Sequence, residues 1–174
     1  MSPTYDVPSD QERRTPPWLY RACCDRLGVD DCALDAFAST DNALCLYWYG
    51  GPTVAAESPW AALDGMSAPW ADPTFANPPF SLMPRVVDKA LRESLRGVRC
   101  AIIGPSGCSQ VWFHKLWPRA QVWIPDRRLT YLTRDGFPTD RAMQDTAVYV
   151  VDGRDRAEPE VHVLRVDALR GDEP

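Results

Sequence analysis

Residues 73–104 read PTFANPPFSLMPRVVDKALRESLRGVRCAIIG, and this stretch decides the fold class. Pro73-Thr74-Phe75-Ala76-Asn77 is short and rich in β-formers, and Pro78-Pro79 stops it. Residues 82–96 then repeat apolar side chains at helical spacing, with Val86, Val87, Ala90, Leu91 and Leu95 on one predicted face. Gly97 follows as a helix stop. Residues 98–103 form an almost unbroken apolar run, the mark of a strand buried on both faces, closed by Gly104-Pro105-Ser106-Gly107. Strand, helix and buried strand in immediate succession predict an α/β domain whose central sheet is mostly parallel.

The flanking sequence extends this pattern. Residues 1–14 are polar and proline-containing and read as a loose arm. At Thr15-Pro16-Pro17 a helix is expected to start, with Thr15 as N-cap and Pro16 in the first helical position, and to stop at Gly28. Residues 32–37, Cys-Ala-Leu-Asp-Ala-Phe, read as a buried parallel strand carrying one acid. Residues 42–70 are broken by Gly50-Gly51-Pro52, Ser58-Pro59 and Ala68-Pro69. A short helix is expected over 42–48 and a strand near Leu63. Beyond Gly107, a helix over 108–117 and strands over 121–124, 129–132, 147–151 and 161–166 are expected. The boundaries drawn are an arm over 1–14, one domain over 15–168 and a tail over 169–174.

Composition narrows the function classes. The 174 residues are 45% hydrophobic and include seven tryptophans, as suits one soluble globular domain. No stretch approaches the roughly 20 apolar residues that span a bilayer, and the N-terminus lacks the basic and apolar regions of a signal peptide, so a cytoplasmic protein is expected. The six cysteines form no CxxC pair and, with only two histidines, do not space like a metal site. Buried free thiols and no bound metal are expected. The net charge is −5, yet residues 85–134 carry ten Lys or Arg against three acids. Such a basic middle suits one DNA-facing side, and equally a solvated helix face with ordinary ion pairs.

Asn77-Pro78-Pro79-Phe80 is the strongest chemical signal. An exocyclic amine such as adenine N6 is a poor nucleophile because its lone pair is delocalised into the ring. Two acceptors for its N–H groups, the Asn77 side-chain oxygen and the Pro78 carbonyl, would favour a pyramidal, nucleophilic nitrogen in the transition state. Prolines 78 and 79 stiffen the loop that aims them, and Phe80 can stack on an extruded base. A Pro-Pro turn with a capping Asn and a core Phe is the plainer reading. Asp35 ends a predicted parallel strand, where ligands bind in α/β sheets. It can contact a ligand, order the loop around it, or cap a following helix. Gly104-Pro105-Ser106-Gly107 lacks the GK[ST] ending of a Walker loop. Cys108 or Ser106 with His114 could form a nucleophile–base pair, although a His between aromatic residues reads better as packed core.

The motif resembles the (N/D)PP(Y/F) signature of amino-methylating DNA methyltransferases, and the chain as a whole resembles the phage DNA N-6-adenine-methyltransferase family. Thr15-Pro16-Pro17-Trp18 is similar to the family's opening TP motif. Leu34-Asp35-Ala36-Phe37-Ala38-Ser39 is similar to its D-x-F-x-G donor loop, here without glycine. Trp70 precedes Asn77-Pro78-Pro79-Phe80-Ser81 as in W-x(n)-NPPYS, and Val111-Trp112-Phe113 and Asp126-Arg127-Arg128-Leu129 resemble later family stretches. The resemblance implies a single Rossmann-like methyltransferase domain and S-adenosylmethionine as donor, bound by Thr15, Pro16, Asp35, Phe37, Ala38 and, through its adenine, Asp64. It implies catalysis by Asn77, Pro78, Pro79 and Phe80 on a flipped adenine of double-stranded DNA, by direct displacement. Methylation of cytosine N4, or a degenerate binding module, are the alternatives. Lys115, Arg119, Arg127 and Arg128 are the candidate phosphate contacts, with solvated charge the alternative for each. A phage- or prophage-encoded protein serving to evade restriction is implied. With little room for a recognition domain, either a short or relaxed target sequence or a homodimer supplying a second DNA contact is expected.

Overall fold

The computed structural model describes residues 13–51, 61–141 and 145–170. Helix α1 spans Pro17–Leu27 and strands β1 and β2 are Leu34–Asp35 and Tyr47–Trp48. Strand β3 is Thr74–Ala76, helix α2 is Met83–Ser94 and strand β4 is Cys100–Pro105. Helix α3 (Val111–Leu116) and strands β5 (Ala120–Pro125), β6 (Thr130–Leu132), β7 (Pro138–Arg141), β8 (Thr146–Val151) and β9 (Glu160–Leu164) follow, and α4 is Val166–Arg170. Seven strands form one sheet in the order β2-β1-β3-β4-β8-β5-β9, and β6 and β7 form a separate hairpin. The half from β2 to β4 is parallel throughout, and β5 pairs parallel to β9. Between the halves, β8 runs antiparallel to both β4 and β5. The sheet is therefore mixed, mostly parallel but not parallel across its centre.

Strand alternation sorts the core into two layers. Cys100 and Ile102 of β4 face the core shared with α2 and α3, together with Ala76, Ala147 and Tyr149. Ala101 and Ile103 face the opposite core with α1, Phe75, Val148 and Val150. The chain is thus a sheet with helices on both faces, as the double-sided apolar run at residues 98–103 requires.

Several local expectations change. Pro16, not Thr15, is the N-cap of α1, and Pro17 is its first residue. Gly28 ends the helix as expected, with the positive φ of 70° that favours glycine. Residues 42–48 form a turn and then β2 rather than a helix, because Leu34 and Asp35 offer a parallel edge to Tyr47 and Trp48. Residues near Leu63 form turns rather than a strand. Leu95 lies beyond the end of α2 and is 79% exposed. His114 is exposed, since the buried face of α3 is taken by Trp112, Phe113 and Leu116. Of the cysteines, five are buried free thiols, whereas Cys108 is exposed. Residues 1–12 of the expected arm lie outside the described residues, and Arg14 is held in a bridge by two bonds with Leu132, of 2.8 and 2.9 Å.

A buried charge network ties α2 to the loop before β3. Lys89 Nζ donates to Glu93 Oε1 at 2.5 Å and to the Ala68 carbonyl at 2.7 Å, and Arg96 donates to Glu93 Oε2 at 2.7 Å. The same loop is pinned by Trp70, whose indole donates to the Gly65 carbonyl at 2.8 Å. Breaking a buried pair leaves the partner charge uncompensated. Glu93→Ala is therefore expected to cost about 3–5 kcal/mol in chemical denaturation, and the double substitution Lys89→Met with Glu93→Leu to recover most of it. A loss below about 1 kcal/mol, the range of a surface pair, would contradict this.

Candidate active site

Ligands of open α/β sheets bind beyond the carboxyl ends of the strands, where the order reverses. Here the chain passes from β1 outward to β2, then back across β1 to β3, so the reversal lies between β1 and β3. Asp35 ends β1 and Asn77 immediately follows β3. Asp35 is in register with Phe75, and Asn77 is two residues further along, so all three share the face covered by α1. They line one crevice with Arg13, Thr15, Phe37, Asn42 and Leu44, enclosing about 40 Å³.

Asp35 is 2% exposed. Its carboxylate accepts the N–H groups of Phe37 and Leu44, each at 3.3 Å. Asp35 thus orders the loop that leads away from it, and no helix follows for it to cap. Burial pushes its carboxyl up to about 7, against the opposing pull of those two bonds. Ala38 donates its N–H to Tyr49 at 3.1 Å, and Ser39 donates to Asn42 Oδ1 at 2.6 Å. The loop without glycine is thereby closed by its own polar groups. The glycine it lacks is supplied across the gap: a Cβ on Gly65 would lie 1.9 Å from the Ala36 carbonyl oxygen. Asp64, next to that contact, accepts the N–H of Met66 at 3.0 Å and orders a turn. It is not among the crevice residues.

Across the crevice, Asn77 Nδ2 donates to Thr15 Oγ1 at 2.9 Å. This bond joins residues 62 positions apart, and sequence reading, which treated the TP and Asn-Pro-Pro-Phe motifs separately, missed it. Among the described residues none donates to Asn77 Oδ1 or to the Pro78 carbonyl. The Pro79 carbonyl, by contrast, accepts from Leu82 at 2.8 Å. Pro78 is buried, Pro79 and Phe80 are half-buried, and Phe80 opens a 3-10 turn through Leu82. Pro16 is buried as the cap of α1.

The four basic candidates do not gather in one place. Arg127 and Arg128 follow β5 at the carboxyl rim, the rim that holds Asn77, because β5 runs parallel to β3 and β4. Arg119 precedes β5 at the opposite rim, and a six-residue strand separates the rims by roughly 20 Å. Each cation has a carboxylate partner: Lys115 with Asp88 at 2.8 Å, Arg119 with Asp155 at 2.6 Å, Arg127 with Asp167 at 2.6 Å and Arg128 with Asp145 at 3.2 Å. A larger cavity of about 420 Å³ lies beside Arg127 and Arg128, floored by Phe113, Trp117, Val122 and Ile124. Its size exceeds that of the crevice, but the one acid among its described lining residues, Asp145, is exposed.

The elevated Asp35 carboxyl has a consequence for stability. The folded state holds its proton more tightly than the unfolded chain, where the group titrates near 4. Its contribution is therefore complete below about pH 4 and is lost as pH rises through about 7, to the extent of roughly 4 kcal/mol. The fall in stability between about pH 5 and pH 8 is expected to be steeper in the native protein than in Asp35→Asn, measured by urea unfolding. Equal slopes would contradict the burial argument.

No curated protein matches the chain. A family model described as DNA N-6-adenine-methyltransferase (Dam) matches residues 2–162, nearly the full length, and the chain belongs to that family.

Proposed function

We propose that this chain is an active S-adenosylmethionine-dependent methyltransferase, one Rossmann-like domain over residues 15–168, that methylates N6 of a flipped adenine in double-stranded DNA. The observation that carries the reading is the pair of open acceptors, Asn77 Oδ1 and the Pro78 carbonyl, at the carboxyl end of β3 across from the buried Asp35. Both N–H groups of an exocyclic amine have an acceptor in such a pair, and Phe80, two residues beyond Pro78, stacks on the base.

The residues of the crevice fit the donor. Asp35 offers a carboxylate for hydroxyl or amino groups, and Phe37, Leu44 and Phe75 offer apolar surface to a nucleoside. Bound there, S-adenosylmethionine supplies a methyl group activated by a sulfonium leaving group. The enclosed volume of about 40 Å³ is far below the roughly 300 Å³ of ordinary small-ligand sites. Admission of a donor therefore moves the 37–44 loop, which is hinged on the two Asp35 bonds. Thr15 lines the crevice; Pro16 and Ala38, which do not, act through their neighbours Thr15 and Phe37, and Asp64 acts through the turn that seats Gly65.

Arg127 and Arg128, on the rim of Asn77, are the first phosphate contacts, and Lys115 and Arg119 lie farther away. Their carboxylate partners are half-exposed or more, and such pairs are worth about 0–1 kcal/mol, so phosphates can displace them. With one sheet and one small hairpin described, a short target sequence or a second copy of the chain completes DNA recognition.

Transfer of labelled methyl from S-adenosylmethionine to unmethylated DNA tests the proposal. Label is expected as N6-methyladenine, with Asn77→Ala reducing turnover by at least about 100-fold. Label on cytosine N4, or no transfer by a chain that binds neither donor nor DNA, would overturn it.

A further inference from the structure

From sequence Thr15 is expected as a helix cap and a donor contact; the structure gives it neither the cap nor a free hydroxyl. Its Oγ1 accepts Asn77 Nδ2 at 2.9 Å, and the residue is 8% exposed. The backbone on both sides is fixed. Arg14 makes two bonds with Leu132, and Pro16 and Pro17 lock the start of α1 with Pro16 at φ −61° and ψ 142°. With the backbone held, only rotation about χ1, itself restricted in a β-branched side chain, moves the hydroxyl.

The outer torsion of an asparagine is broad and nearly two-fold, so an unrestrained amide readily exchanges the places of Oδ1 and Nδ2. The two orientations are chemically opposite at this site. One turns an acceptor toward a substrate amine. The other turns N–H groups toward it, which leaves donor facing donor and two unsatisfied groups. We propose that Thr15 is a positioning residue: its hydroxyl, which can accept or donate, takes the Nδ2 end of the Asn77 amide when a target amine draws Oδ1 to the crevice, and so holds the amide plane with the acceptor in place. This rests on the function proposed above. It assigns to Thr15 an effect on turnover rather than on donor affinity, and it links the first and central motifs of the chain through a single bond.

Steady-state methyl transfer by the wild type, Thr15→Val, Thr15→Ser, Asn77→Ala and the Thr15→Val/Asn77→Ala double variant tests it. Valine keeps the shape and removes the hydroxyl. Thr15→Val is expected to lower kcat by about tenfold or more, the cost of a misaimed catalytic group, with KM for S-adenosylmethionine changed less than about twofold. Thr15→Ser is expected to restore most of kcat. In the Asn77→Ala background, Thr15→Val should have no further effect, because nothing remains to be positioned. A merely structural role would instead make the two losses additive. Additive losses, an unchanged kcat in Thr15→Val, or a raised donor KM at constant kcat would each overturn the proposal while leaving the methyltransferase reading intact. A wild type that transfers no methyl would overturn both.

Discussion

Strand β3 is three residues long yet pairs on both sides, with β1 through Thr74 and Phe75 and with β4 through Thr74, Phe75 and Ala76. That double pairing is the constraint on which the rest depends. It places the carboxyl ends of β1 and β3 side by side at the point where strand order reverses, and so brings Asp35 and Asn77 to one crevice. The backbone continues the pairing past β1, with Ala36 donating its N–H to Phe75 at 2.9 Å. Two prolines then end β3 and turn the chain into α2, so the Asn77 side chain and the Pro78 carbonyl stay on the rim instead of joining the ladder.

The surroundings of β3 are held by polar groups inside the fold. Lys89 of α2, paired with Glu93, reaches the loop at Ala68, Trp70 reaches Gly65, and Gly65 lies against Ala36 where no side chain fits. A chain of direct contacts therefore runs from the middle of α2 to the loop after Asp35. Asp35 holds the opposite side of that loop with two backbone N–H bonds, at the cost of burying its own carboxylate. A site built this way is rigid on the Asn77 side, where sheet and prolines meet. Residues 37–44 join no strand until β2 and are held by the two 3.3 Å bonds to Asp35 and by Asp41, which pairs with Arg14 at 2.7 Å and Arg134 at 3.0 Å.

What the sequence disclosed follows from how local its causes are. The amphipathic repeat of α2, the apolar run of β4 and the stop at Pro78-Pro79 are set by neighbours in sequence, and each was readable within one residue or two of its observed position. Strand β2 was read as a helix because Tyr47 and Trp48 have meaning only beside Leu34 and Asp35. The antiparallel course of β8 left no trace in its own apolar sequence. Lys89 and Glu93 carry a signal of their own, an i, i+4 pair of opposite charge beside Val86 and Ala90. The Thr15–Asn77 bond had none, since it spans 62 residues, and only the topology brings the two motifs together. Asp35 was legible as a carboxylate at a strand end, but its elevated pKa came from packing on every side.

The family fixes the chemistry to expect, and the crevice between β1 and β3 is where this account puts it. The most direct measurement is a crystal structure of the chain with S-adenosylhomocysteine, the product form of the proposed donor. The ligand is expected between Asp35 and Asn77, with the 37–44 loop displaced and the Thr15–Asn77 bond kept. A ligand seated instead in the larger cavity beside Trp117 and Ile124, with the β1–β3 crevice unchanged, would contradict it.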